Sequence, residues 1–243
     1  MLLVQGLTKQ FNGQRVVQGF DLELAANGFT VLIGPSGCGK STFFDLLMGV
    51  VAADAGRIQW QGQTVPHLER VAAYMQQRDL LLPWLSLAGN ARLPADIAGG
   101  VSGAERVKQL FERLGLAGFE AHLPAMVSGG MRQRCALART LMFERDLVLL
   151  DEPLSALDAI TRRQLQFLLR MLQDEFRRTI LMVTHDIEEA LLLADEVLVL
   201  SPMPMTVRER FILEMPKPRR VDDTRLTAIK AHVLDLLEAS ERP

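Results

Sequence analysis

Residues 29–50 read FTVLIGPSGCGKSTFFDLLMGV, and the three parts of that stretch decide the fold. FTVLI (29–33) is an apolar run of strand length. GPSGCGKST (34–42) satisfies G-x-x-x-x-G-K-[ST], and in KSTFFDLLMGV (40–50) the apolar residues return at helical spacing. Strand, glycine loop and helix in that order build a seat for phosphate. Glycines let consecutive backbone N–H groups point inward around phosphate oxygens, Lys40 carries a positive charge to the β and γ phosphates, and the Ser41 hydroxyl suits Mg²⁺. Gly34, Pro35, Ser36, Gly37, Cys38, Gly39, Lys40, Ser41 and Thr42 are therefore candidate nucleotide-binding residues, with Ser41 also a candidate metal ligand.

Upstream, LLVQGLTKQF (2–11) and RVVQGFDLEL (15–24) read as strands joined by a turn at Asn12-Gly13, so residues 1–32 look like an antiparallel β start. Downstream, from about Asp79 to Thr140, the pattern is helical and strand signals vanish. Within it, SGAERVKQLFERLGL (102–116) opens with Ser102 and Glu105 in capping-box spacing and stops at Gly115. DLVLL (146–150), RTILMVT (178–184) and EVLVL (196–200) then read as buried strands. Between them lie helical patterns over 159–176 and 186–194. Such alternation implies a mostly parallel sheet with both faces covered, interrupted by a helical insertion. Beyond Pro202 the chain is rich in Pro and Arg and ends in a helix-like segment, expected to pack on the domain or to dock a partner.

Bulk composition narrows the function. The 243 residues, 49% hydrophobic and 23% charged, suit one α/β domain, and a net charge of −2 gives no field to gather nucleic acid, so no nucleic-acid partner is expected. Cys38 and Cys135 lie far apart without metal-ligand spacing, which fits a reduced, cytosolic setting. The N-terminus lacks the features of a signal peptide, and no apolar run reaches the roughly 18 to 20 residues that span a bilayer. A membrane role would run through a partner.

Two acids end the strand in LVLLDEP (147–153). Ligands of open α/β sheets sit at the carboxyl ends of the strands, so Asp151 and Glu152 should face the phosphates. Asp151 is the candidate Mg²⁺ holder, since Mg²⁺ takes hard oxygens and keeps much of its water, and Glu152 is the candidate general base for an attacking water. His185, just past another buried strand in MVTHD, can hydrogen-bond the γ-phosphate or that water, although a lone histidine is often only structural. VSGGMRQR (127–134) opens a helix with a serine and two glycines: an ordinary N-cap, and a second anion seat as well.

Taken in order, GPSGCGKST, VSGGMRQR, LVLLDEP, SALD and VTHD resemble the ATP-binding subunit of an ABC transporter over about residues 1–200. The resemblance implies a P-loop NTPase (ABC ATPase) fold. Its nucleotide-binding core would cover 1–77 and 140–205, its helical subdomain 78–139, and 206–243 would form a C-terminal extension. It also implies ATP as substrate with Mg²⁺, Phe11 stacking on adenine unless it is a strand core residue, and His185 as the switch histidine. Gln77, favoured over Gln76, would touch Mg²⁺ and the water, making it a metal ligand as well as a catalytic residue. Ser128, Gly129 and Gly130 would contact the nucleotide held by a second ATPase subunit, and Asp158 would lie at the interface of that pair. VSGGM departs from the commoner LSGGQ at both ends but keeps the contacting residues. Membrane permease subunits, an indirect solute-binding protein and residence at the cytoplasmic face of the bacterial inner membrane are implied too. Residues 75–90 (MQQRDLLLPWLSLAGN) look similar to importer ATPases for nitrate, sulfonates, taurine and, most closely, pyrimidine-type thiamine precursors. Soluble ABC ATPases are the alternative, weakened by the single cassette with a compact insertion.

Overall fold

A computed structural model describes residues 1–99, 103–155, 157–174 and 177–239. Two sheets share its core. Strands β1 (Leu2–Phe11) and β2 (Gln14–Leu24) form the expected hairpin, pairing Leu2 with Leu24 and Phe11 with Gln14. β3 (Phe29–Ile33) leaves that hairpin for the second sheet, and the antiparallel sheet is completed from downstream by β4 (Ala55–Trp60) and β5 (Gln63–Val65).

The second sheet adds β6 (Ala72–Met75), β7 (Leu147–Asp151), β8 (Thr179–Thr184), β9 (Glu196–Leu200) and β10 (Val207–Ile212), in the order β10-β9-β3-β8-β7-β6. All its pairings are parallel except β10 on β9. Every residue of β3, β7 and β8 is buried, because each face has its own cover. Leu32, Leu149, Leu181 and Leu198 pack towards the antiparallel sheet and helix α1 (Lys40–Met48). Val31, Val148, Ile180 and Val199 join a second cluster with α4 (Gly129–Leu141), α5 (Ala159–Asp174) and α6 (Ile187–Leu193). Parallel register aligns Ile33 with Thr184 and Asp151 with Val183, so the loops after β3, β7 and β8 emerge along one edge.

Helices α2 (Leu87–Ile97), α3 (Gly103–Arg113) and α4 make up the helical insertion. Ser102 of the expected capping box lies outside the described residues, as do Ala156 of SALD and the last two residues of the helix expected over 159–176. In the tail, helix α7 (Thr224–Glu238) is preceded by β10, a strand the Pro- and Arg-rich composition had hidden. Arg219 donates hydrogen bonds to the carbonyls of Leu191, Ala194, Leu213 and Met215, clasping the end of α6, and Lys230 of α7 pairs with Glu188.

Phe43 joins α1 to the antiparallel sheet. Fully buried, its ring lies 4.7 Å from that of Phe20. Phe43→Ala is expected to lower stability by about 3–5 kcal/mol, because the gap cannot close between two sheets and a helix. The midpoint of denaturant unfolding reads this directly.

Candidate active site

The loop from Gly34 to Gly39 is shaped by close approach. A Cβ on Gly34 would lie 2.9 Å from Leu200 Cβ, and one on Gly39 would lie 3.0 Å from Val16 Cγ1, with Gly39 at a left-handed φ of 114°. No side chain can line the loop at these points, so backbone N–H groups and the start of α1 are left to meet an anion. Nζ of Lys40 donates to the carbonyls of Gly34 (2.8 Å) and Pro35 (2.9 Å), which anchors the ammonium across the loop. The loop therefore has the build of a triphosphate cradle. Cys38 is buried within it, and burial pushes its thiol up, so it packs as a neutral residue. Phe11 ends β1 with an exposed ring, and Lys9 Nζ lies 5.2 Å from the ring centroid, which rules out the strand-core reading.

Asp151 is buried, and burial pushes its carboxyl up; the Ser41 hydroxyl, hydrogen-bonded to it, pulls it back down, while nearby Glu152 raises it. Among the described residues no group of three or more His, Cys, Asp or Glu side chains gathers as a metal cage. One carboxylate beside one hydroxyl still fits Mg²⁺, which takes few protein ligands and completes its shell with water and phosphate oxygens. Asp151 and Ser41 are the residues that would hold it.

Glu152 is the centre of the site. Its φ of 48° is left-handed, a conformation that costs about 1–3 kcal/mol in a non-glycine residue and persists only when neighbours impose it. Those neighbours are visible: its N–H donates to Val183 O at 2.9 Å, and its carbonyl accepts from Gln133 Nε2 at 3.0 Å and Ser155 Oγ at 3.1 Å. The carboxylate is turned so that Gln77 Nε2 donates to one oxygen at 3.3 Å and His185 Nδ1 stands 3.3 Å from the other. Gln77, Glu152 and His185 thus converge from the ends of three neighbouring strands, β6, β7 and β8. Asp186 beside the histidine caps α6, accepting from the N–H groups of Glu188 and Glu189.

Ser128, Gly129, Gly130 and Asp158 serve elsewhere. Ser128 Oγ accepts from Met131 N–H at 3.2 Å and caps α4, leaving Ser128 and Gly129 exposed. Asp158 accepts from the N–H groups of Ile160 and Thr161 at the start of α5, and these bonds hold its carboxyl below the usual range. Among the described residues, none of these four or Phe11 hydrogen-bonds Gln77, Glu152 or His185. Sequence reasoning missed three side chains that brace the site. Gln133 holds the Glu152 peptide, Arg139 donates to the carbonyls of Asp79 and Leu80, and Arg162 of α5 reaches Asp186 (3.7 Å) and Glu189 (3.4 Å). Gln133 stands inside the VSGGMRQR stretch already singled out, but only the packing of α4 against the end of β7 reveals its partner.

A glycine loop between a buried strand and a helix, with a buried aspartate beside the loop serine, defines a P-loop nucleoside triphosphatase. The chain belongs to the ABC transporter family, whose description matches residues 17–155, and it is an ABC-type ATPase. It is 39% identical to the aliphatic sulfonates import ATP-binding protein SsuB 2 of Burkholderia lata over 238 residues, 98% of this chain and 86% of that protein. With the taurine import ATP-binding protein TauB of Yersinia pestis it shares 43% identity over 217 residues, 88% of this chain and 84% of that one. Among solved structures, the dimeric structure of MJ0796, a bacterial ABC transporter cassette, matches with a TM-score of 0.82 at 26% identity, covering 89% of this chain and 100% of that chain. A post-hydrolysis state of the same cassette bound to ADP and Pi matches with a TM-score of 0.81 at 25% identity.

Proposed function

We propose that this chain is the ATP-hydrolysing subunit of an importer for small sulfonates, working as a two-fold pair beneath membrane permease subunits. What carries the importer reading is the likeness, at about 40% identity over most of the chain, to sulfonate and taurine import ATP-binding proteins. These relatives favour the sulfonate side of the cargo range over the pyrimidine side. Among the described residues no helix is long and apolar enough to cross a membrane. In this reading the chain meets the membrane through the permease, at its cytoplasmic face. A solute-binding protein acts indirectly, and no nucleic acid takes part.

In this reading the loop 34–42 binds the phosphates through backbone N–H groups and Lys40, and the exposed Phe11 ring stacks on adenine. Mg²⁺, when bound, neutralises charge on the β and γ phosphate oxygens. Asp151, Ser41 and Gln77 would hold it, Glu152 takes a proton from the attacking water, and His185 and Gln77 keep that carboxylate aimed. Ser128, Gly129, Gly130 and Asp158 face the nucleotide of the second subunit, which explains a capped helix start left exposed on one chain. Residues 78–139 form the arm that meets the permease, and Arg219 and α7 brace α6.

Two measurements test this. Turnover per chain should rise with protein concentration, since each site is completed by the partner; a concentration-independent rate in a monomeric preparation would remove the pairing. Recovered from detergent-solubilised membranes, the protein should bring a multi-span permease, and the reconstituted complex should hydrolyse ATP faster with taurine or an alkanesulfonate and its binding protein. Absence of any such permease would favour a soluble ABC ATPase instead.

A further inference from the structure

Gln133 stands one turn into α4, 5% exposed, and its amide donates to the backbone carbonyl of Glu152 at 3.0 Å. That carbonyl belongs to the one residue at the centre of the site whose backbone is held in the left-handed region. The same helix grips the loop carrying Gln77: Arg132 Nε lies 3.1 Å from the Asp79 carboxylate, and Arg139 donates to the carbonyls of Asp79 (2.6 Å) and Leu80 (2.8 Å). α4 thus holds two of the three groups that meet at the Glu152 carboxylate, and its first turn presents the exposed Ser128 and Gly129.

We propose that Gln133 is a positioning residue. By fixing the Glu152 peptide it keeps the carboxylate between Gln77 and His185, and it ties the reacting geometry of one chain to the placement of that chain's own SGG helix. When the first turn of α4 closes on a partner's nucleotide, the displacement reaches Glu152 through the hydrogen bond from Gln133. The inference rests on the proposed roles of Glu152 and of the SGG turn.

Its energetic signature is unusual for a buried amide. The Glu152 carbonyl also accepts from Ser155 Oγ at 3.1 Å and from Ser155 N–H at 3.3 Å, so removing Gln133 does not orphan it. A displacement of about 1 Å at a reacting group can lower the rate about 10²-fold. Gln133→Met keeps the volume and deletes the donor. It is expected to lower kcat by about 10- to 100-fold, with KM for ATP within about two-fold of wild type.

Gln133→Glu supplies a readout that a merely structural residue would not move. Protonated, its carboxyl donates to the Glu152 carbonyl; ionised, it cannot and repels. The ratio of its kcat to that of wild type should therefore rise as pH falls from about 8 to about 6, a range into which burial brings a glutamate. Wild-type kcat in Gln133→Met, or a flat ratio in Gln133→Glu, would overturn the proposal. Should Gln133→Met fold poorly, the ratio within the second variant carries the test alone. Glu152→Gln, assayed in parallel, separates the two readings. Turnover in that variant removes the base assignment and this inference with it, whereas a dead Glu152→Gln beside a wild-type Gln133→Met removes the inference only.

Discussion

Glu152→Gln is expected to lower kcat by about 10²- to 10⁴-fold, the usual worth of a positioned general base, while ATP-dependent pairing of chains survives. The side chains have the same length and shape, so Gln77, 3.3 Å away, can still donate to the remaining amide oxygen. The left-handed backbone of residue 152 is held by Val183, Gln133 and Ser155, none of which depends on the carboxylate. What disappears is the acceptor for the water's proton and the attraction for His185 at 3.3 Å. ATP should bind normally and persist unhydrolysed, so the paired form becomes long-lived and visible by size-exclusion chromatography with ATP. Undiminished hydrolysis would show that another group takes the proton.

Lys40→Ala should weaken ATP binding and reduce turnover together, by about 10²-fold or more, because a charged donor, itself buried at the foot of the loop, is lost from the phosphate site. The distinction from the first variant lies in KM. Lys40 touches ground state and transition state alike, so its loss raises KM as well as lowering kcat, whereas Glu152→Gln changes kcat with KM nearly intact. Folding should tolerate the change. Lys40 donates to the Gly34 and Pro35 carbonyls, bonds worth about 1 kcal/mol each net, and the cost of burying its ammonium offsets much of that. Titration calorimetry with ATP at fixed Mg²⁺ measures the binding loss; unaltered affinity would displace Lys40 from the phosphates.

The parts of this site readable from sequence are those in which chemistry and local structure coincide. GPSGCGKST encodes its own backbone shape, and LVLLDEP puts two acids at the end of a strand apolar enough to be buried on both faces. Residues 55–75 were silent because three short strands, broken by the turn at Gln61-Gly62, leave too few residues for a period to emerge. β10 alternates only in exposure: in VRERFI, Glu209 falls on the half-buried side and Ile212 on the exposed one, so no apolar period marks the strand among its prolines and arginines. Resemblance favoured Gln77 over Gln76, and the geometry brings Gln77 to the Glu152 carboxylate. The braces could not be foreseen: Gln133 finds a carbonyl 19 residues away, and Arg162 finds Asp186 and Glu189 across two elements, contacts created only by packing.

β10 has a further consequence. As the outermost strand of the six it exposes a row of backbone groups, the kind of rim on which stray chains can add strands and build fibres. Here that rim is clothed in charge: Arg210 pairs with Glu196 at 3.1 Å, Glu209 with His232 at 3.0 Å, and Arg208 donates to the Leu236 carbonyl. The pairing proposed above would bring copies of this chain together again and again, and the charge on this last strand works against their meeting edge to edge.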